Sequence, residues 1–139
     1  MACYIDNGHA ALPHCRACHL DDHARLARTH FANEDFRKAV AEMNQYIAKL
    51  IVRQRVWPSK SDIHMLAQAY SDRAAMHYRS GKYAEAISDL TEVIDRSTDY
   101  PASHTRGQRA LMFRGYCYQA MGNPGAATND FARATRMDN

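Results

Sequence analysis

Residues 73–90 read RAAMHYRSGKYAEAISDL, and this stretch decides the fold. Ala74 and Ala86 are small residues on either side of the polar break at residues 80–82, and Leu90 follows Ala86 by four positions. Apolar residues spaced by three and four on both sides of a short polar break are typical of two amphipathic helices. Since two helices pack about 8–10 Å apart only where their facing side chains allow it, the stretch predicts a close helical hairpin.

The same order of residues occurs in two further copies. Their polar breaks are residues 33–35 and residues 121–123. A large apolar residue again follows four positions after the second small residue of each copy, as Met43 and Phe131. The small residues that flank these breaks are Ala27 and Ala39 in the first copy, and Gly115 and Ala127 in the third. Three concordant copies predict three successive hairpins and therefore six main helices.

This pattern resembles the tetratricopeptide repeat, a helix–turn–helix unit of about 34 residues. The resemblance covers residues 20–139, with repeats at about 20–57, 60–97 and 105–139, and residues 1–19 form a separate segment rich in Cys and His. It implies an all-α fold in which the three repeats stack into a superhelical array.

The distance between the first two copies is longer than the repeat. Phe36 and Tyr83 occupy the same place in successive copies but lie 47 residues apart. The apolar stripe that begins at Phe36 continues past Leu50 until Trp57 and the proline after it, and Ser59 can cap a new helix. We therefore expect the second helix of the first repeat and the first helix of the second repeat to extend beyond the repeat body, with Trp57 at the tip.

Proteins that resemble this chain bind extended peptides in a concave groove lined by the first helix of each repeat. Carried over to this sequence, the resemblance implies a basic and aromatic groove in which Asp72 is the one acid. Arginine can bind carboxylates while ring faces accept apolar side chains, so this lining favours an acidic or aromatic-containing segment of a partner protein. The alternative for each ring is that it only packs between helices. The predicted groove residues are Arg25, Arg28, Phe31, Asp72, Tyr78, Arg79, Arg109, Met112, Phe113 and Tyr116.

The sequence leaves two other interaction roles open. In one, the chain is a co-chaperone of the family's carboxylate-clamp type, which grips the C-terminus of Hsp70 or Hsp90. Asp72 stands where the clamp has asparagine and Phe113 where it has a basic residue, so most clamp positions are not matched. In the other, the chain is a structural or scaffold subunit that self-associates. Repeat arrays normally end in a polar capping helix, and none follows the third repeat, so we expect either a longer parent chain or a second copy to cover that face.

The N-terminal segment carries a candidate metal site. Cys15 and Cys18 are separated by two residues, a spacing that lets both thiolates bind one tetrahedral zinc ion. Cys3, His14, His19 and His23 are the candidates that could complete the site, and of these we select Cys3 and His23. The alternative, which we favour, is a reduced tail that leads into the first helix. We therefore expect no cofactor, and zinc is the one that this segment could bind.

Composition and motifs exclude several other classes of function. The 18 Lys and Arg residues exceed the 15 Asp and Glu residues by only 3, and the basic residues are scattered, so nucleic acid is an unlikely ligand. No apolar run approaches the roughly 18 residues that a membrane span requires. The chain contains no HExxH, GxSxG or P-loop motif, so we expect no enzymatic activity. Without an export signal, the expected location is the cytoplasm.

Overall fold

The computed structural model describes residues 16–97 and 104–137, with side chains from residue 22 onward, and every regular element in these ranges is helical. The chain divides into two compact units between Pro58 and Ser59. The first unit contains α1 (Arg16–Ala32) and α2 (Phe36–Val56). The second contains α3 (Lys60–Arg79), α4 (Tyr83–Arg96), α5 (His104–Ala120) and α6 (Pro124–Arg136). The predicted all-α fold of six helices is confirmed.

The small residues of the repeated pattern lie in the core of each hairpin. Ala27, Ala39, Ala74 and Ala86 have no exposed surface, and Ala127 is 1% exposed. The large apolar residues that follow them are buried as well, namely Met43 in the first unit and Leu90 in the second. Each hairpin is therefore closed by small residues against which a large apolar side chain can pack.

In the third hairpin the two helices approach closely at Gly115. A Cβ atom built on Gly115 of α5 would lie 2.5 Å from the ring of Phe131 on α6. In the second hairpin the corresponding residues, 41 positions earlier, are Ala74 and Leu90. A smaller residue on one helix thus accompanies a larger residue on the other, which keeps the packed volume nearly constant.

All three hairpin turns share one backbone conformation. Glu34, Gly81 and Gly122 adopt positive φ angles of 61°, 78° and 77°. The residue after each of them donates its N–H to the carbonyl five positions earlier, at 2.8–2.9 Å. This is the Schellman arrangement, in which a left-handed residue ends a helix and satisfies its last carbonyl groups. Glycine adopts this conformation without steric cost, whereas Glu34 does not.

Two buried ion pairs join the helices of the second and third hairpins. Arg73 of α3 donates to both carboxylate oxygens of Asp89 on α4, at 2.9 and 2.6 Å. Arg114 of α5 binds Asp130 of α6 in the same way, at 2.7 Å for both bonds. The side chains of Asp89 and Asp130 are only 6% and 7% exposed. Because these bonds are bidentate and charge-assisted, each fixes the orientation of one helix against its partner.

The two helices next to the long insertion are the longest in the described chain. α2 has 21 residues and α3 has 20, whereas the other four have between 13 and 17. Trp57 follows the end of α2 and is 76% exposed. The hydroxyl oxygen of Ser59 accepts the backbone N–H of Asp62 at 3.0 Å and caps α3. The extension of both helices agrees with the expectation from the sequence.

We predict that Gly115→Ala lowers the free energy of unfolding by about 1–2 kcal/mol, because the added methyl group displaces Phe131 while the gain in helix propensity offsets only part of the cost. Adding Phe131→Leu recreates the Ala74–Leu90 pair of the second hairpin and should recover at least half of the loss. Urea denaturation of the three proteins measures both effects. A single variant as stable as the parent chain would contradict the close approach.

The start of α4 offers a second test. The side-chain oxygens of Asp35 and Asn123 cap α2 and α6, whereas Lys82 at the same place gives α4 no side-chain cap. Lys82→Asn should raise the free energy of unfolding by about 1 kcal/mol, because the new amide oxygen can accept a backbone N–H of the first turn. Lys82→Ala is the control, since it removes the same charge without supplying a cap. Thermal denaturation of the two variants in parallel should show the gain for Asn alone.

Candidate peptide-binding site

The predicted groove residues are divided between the two units. Arg25, Arg28 and Phe31 lie on α1 of the first unit. Arg25 forms an exposed ion pair with Asp22 at 2.9 Å. The ring of Phe31 packs against that of Phe36, with 5.7 Å between the ring centroids. That these three residues line one groove together with residues of the second unit stays a prediction.

The second unit contains a cleft between α3 and α5, here called the α3/α5 cleft. It has a volume of about 350 Å³. Arg109 and Phe113 are the predicted groove residues that line it, whereas Asp72, Tyr78 and Arg79 lie outside its lining. The remaining lining residues are Gln68, Ser71, Leu90, Thr105, Arg106 and Ala110.

The charge of the α3/α5 cleft comes from two guanidinium groups. Arg106 is half-buried, and one of its nitrogens lies 3.2 Å from Nδ1 of His64. Arg109 is exposed and has no hydrogen bond or ion pair with any described residue. Asp72 accepts a hydrogen bond from the side-chain amide of Gln68 at 3.0 Å. The cleft therefore offers net positive charge to a ligand that carries carboxylates.

A second opening, here called the α5/α6 cleft, lies between α5 and α6. It has a volume of about 660 Å³. Two of its apolar side chains are exposed to solvent, Met112 at 38% and Tyr116 at 49%. Arg109 and Phe113 line both clefts, so the two openings adjoin. The other lining residues are Gln108, Ala134 and Thr135.

The aromatic residues pack against one another and also face the clefts. The ring of Tyr78 makes edge-to-face contacts with Tyr83 and Phe113, at centroid distances of 5.3 and 5.2 Å. Tyr116 contacts Phe131 in the same manner at 5.3 Å. Packing between helices and contact with a cleft are thus not exclusive alternatives here, because Phe113 and Tyr116 do both.

Several lining residues escaped the prediction. Gln108 and Ala134 correspond to Ala67 and Val93 of the second repeat, 41 positions earlier, neither of which was a predicted groove residue. Arg106 corresponds to Met65, so the comparison of repeats gave no signal for any of the three. Its place in the α3/α5 cleft follows from the packing of α5 alone.

The zinc prediction falls mostly outside the part of the chain that the structure describes. Cys3 and Cys15 lie outside it, and the side chain of Cys18 in α1 is not described. Within residues 22–97 and 104–137, no group of three or more His, Cys, Asp and Glu side chains is arranged to hold a metal ion. The four-residue zinc site stays a prediction.

His23, the fourth candidate ligand, has other partners. Its Nδ1 lies 2.6 Å from a carboxylate oxygen of Glu42, and its Nε2 lies 2.7 Å from Nζ of Lys49. The ammonium group of Lys49 can only donate, so Nε2 accepts and Nδ1–H donates to Glu42. A zinc ion on His23 would have to displace one of these two side chains.

Four other titratable groups of the second unit add no unbalanced charge. Burial lowers the pKa of His77, and this effect outweighs the attraction of Asp89, whose carboxylate lies 3.8 Å away. The imidazole is therefore neutral at pH 7. Hydrogen bonds to their Asp partners raise the pKa values of Arg73 and Arg114, whose charges are balanced within the ion pairs. Burial raises the pKa of Cys117 to about 11 and keeps it a thiol.

The lowered pKa of His77 predicts a pH dependence of stability. Below about pH 6.5 the unfolded chain binds a proton that the folded chain still refuses, so the free energy of unfolding should fall as the pH drops through that value. His77→Tyr installs the residue that the third repeat has at this place, Tyr118, and should flatten this part of the profile. Denaturation of both proteins at pH 7.5 and 5.5 measures the difference. Parallel profiles would show that His77 is not protonated on unfolding.

The comparisons with known proteins bear on the third repeat. The family model described as tetratricopeptide repeat matches residues 108–139. Searches of curated proteins and of solved structures returned no match. Among the described helices, none combines the length and the apolar character needed to cross a membrane. The six described helices in three hairpins and the family match over residues 108–139 together support a tetratricopeptide-type repeat protein.

Proposed function

We propose that this chain is an adaptor whose α3/α5 cleft binds an acidic segment of a partner protein. Tetratricopeptide repeats are in general protein–protein interaction modules. The observation that carries the proposal is Arg109, an exposed guanidinium without a partner among the described residues, beside the half-buried Arg106. Two such groups at one cleft favour a carboxylate over a neutral ligand.

The surroundings of these arginines support a segment that is apolar as well as acidic. Phe113 borders both clefts, and Met112 and Tyr116 are exposed directly beyond it. A peptide with one carboxylate near Arg106 and Arg109 would therefore have apolar surface beside its next residues. Extended peptides bind such surfaces through a few apolar anchors, with charged pairs that fix the register.

The two alternative roles, a carboxylate-clamp co-chaperone and a self-associating scaffold, each require one structural feature. A carboxylate clamp needs a basic group at the place of Phe113, whose ring instead packs on Tyr78 at 5.2 Å. This contact supports an acidic segment bound in the chain's own manner over a chaperone C-terminus. A self-associating scaffold needs a surface that a second copy can cover, and the exposed Met112 and Tyr116 could belong to one.

The proposal predicts that charge reversal at Arg109 weakens binding of an acidic peptide at least tenfold. The probe is a fluorescent twelve-residue peptide that combines Glu and Phe in a Gly-Ser background, and its match replaces each Glu by Gln. Arg133→Glu is the control variant, because Arg133 is exposed on α6 and lines neither cleft. Fluorescence anisotropy at 50 and 300 mM salt gives the affinities, which should fall as salt screens the charges.

Two outcomes of this experiment would contradict the proposed site. Equal losses for Arg109→Glu and Arg133→Glu would mean that only the net charge matters, and equal affinity for the Glu and Gln peptides would remove the acidic ligand. Either result contradicts the proposed site.

A further inference from the structure

The α5/α6 cleft has a counterpart that is already filled within the second unit. α5 packs against α4 and touches α3 through single side chains, such as Phe113 on Tyr78. Gly107 of α5 lies so close to Ser97 that an added Cβ would collide with its hydroxyl oxygen. The residues of α3 and α4 that line the openings beside this packing include Ala67, Gln68, Ser71 and Val93. Their counterparts 41 positions later are Gln108, Arg109, Met112 and Ala134. All four of these counterparts line the α5/α6 cleft.

The open cleft therefore has the shape of a packing site for one more helix. We call it the open seat, and we call the packing site that α5 occupies on the second repeat the filled seat. In the second repeat the counterparts of Met112 and Tyr116 are Ser71 and Ala75, which are half-buried. Met112 and Tyr116 themselves are 38% and 49% exposed, beside an opening of about 660 Å³. Covering this apolar surface removes it from water, which is the main source of free energy when helices associate.

The chemistry of the seat changes at one position. Where the filled seat has the neutral Gln68, the open seat has Arg109, whose charge no described residue balances. A helix bound there with an acidic side chain facing Arg109 would supply that balance. α5 also shows what else the helix needs, because it presents the small residues Gly107 and Ala110 at its own seat. Small residues allow the close approach of two helices.

We propose that the α5/α6 cleft binds an amphipathic helix of a partner protein, with small residues toward Ala134 and an acidic side chain at Arg109. The helix packs its apolar face on Met112 and Tyr116, as α5 packs on the second repeat. This site lies beyond the proposed peptide-binding function, since it takes a helix rather than an extended segment and shares only Arg109 and Phe113 with the α3/α5 cleft.

Charge argues against a second copy as the occupant. The α5 face that lines the cleft beside Gln68 carries Arg106 and Arg109. If α5 of a second copy took the open seat in the same way, these arginines would face Arg109. Like charges brought together at an interface disfavour association. A helix with Glu or Asp at these places is the better complement.

The experiment uses the full chain and two synthetic peptides. One peptide has the sequence of residues 104–120 with Arg106→Glu and Arg109→Glu, and the other has the unchanged sequence. Free peptides of this length are largely unfolded in water, so helix content should rise on binding. We expect the Glu peptide to bind at least tenfold more tightly by isothermal titration calorimetry, with a gain of helical circular dichroism that the unchanged peptide lacks.

Protein variants locate the binding. Met112→Lys should weaken the Glu peptide at least tenfold, and because Met112 is 38% exposed the variant should still fold, which thermal denaturation checks. Arg109→Glu should reverse the preference between the two peptides, while Arg133→Glu should leave it unchanged. Gln68→Glu, which alters the α3/α5 cleft alone, should also leave it unchanged and so separates this site from the proposed peptide site.

Three results would overturn the inference. The first is no binding of the Glu peptide up to about 1 mM, and the second is equal affinity for both peptides. The third is a dimer in sedimentation that Met112→Lys dissociates, because it would assign the seat to a second copy. Failure of the acidic extended peptide in the earlier experiment, with the helical peptide still bound, would refute the proposed function and leave this inference standing.

Discussion

The contact between a small residue on one helix and a larger one on the next is the constraint on which the structure depends. Ala27, Ala74 and Gly115 allow the two helices of each hairpin to approach, and in the second and third hairpins an Arg–Asp pair joins the same two helices. The exchange of Ala74 and Leu90 for Gly115 and Phe131 shows that the packed volume is conserved rather than the residue type. Hairpins of constant thickness can then pack in a regular order within the second unit.

The buried Arg–Asp pairs also decide which charges are available to ligands. α5 contains three arginines, and only one of them, Arg114, is neutralised by a buried carboxylate. Arg106 contacts Nδ1 of His64 instead of a carboxylate, and Arg109 has no partner in the described chain. The helix thus uses one arginine to hold the fold and leaves two at the clefts. A count of basic residues could not make this distinction, because the net charge of +3 sums over all of them.

The sequence predicted the helices well and the site only in part. Three copies of one pattern fix the hairpins, because each small residue and each turn is indicated three times. The resemblance to the repeat family had also placed Arg109, Met112, Phe113 and Tyr116 in a groove. All four line the α5/α6 cleft, and their role in binding stays a prediction. The division of their surface into two clefts was not predicted, because it depends on how α5 sits against α3, α4 and α6. The Arg–Asp pairs were missed as well, although Arg and Asp recur 16 residues apart in two repeats.

Glu34 gives the first hairpin a different energetic character from the other two. A side chain in the left-handed region costs about 1–2 kcal/mol that glycine avoids. The first hairpin also has Leu26 and Glu42 where the others have Arg and Asp, so it lacks the bidentate bond between its helices. Strain at the turn and the missing bidentate bond between α1 and α2 favour transient opening of this hairpin. The hairpin of α1 and α2 should therefore open locally more readily than the other two hairpins.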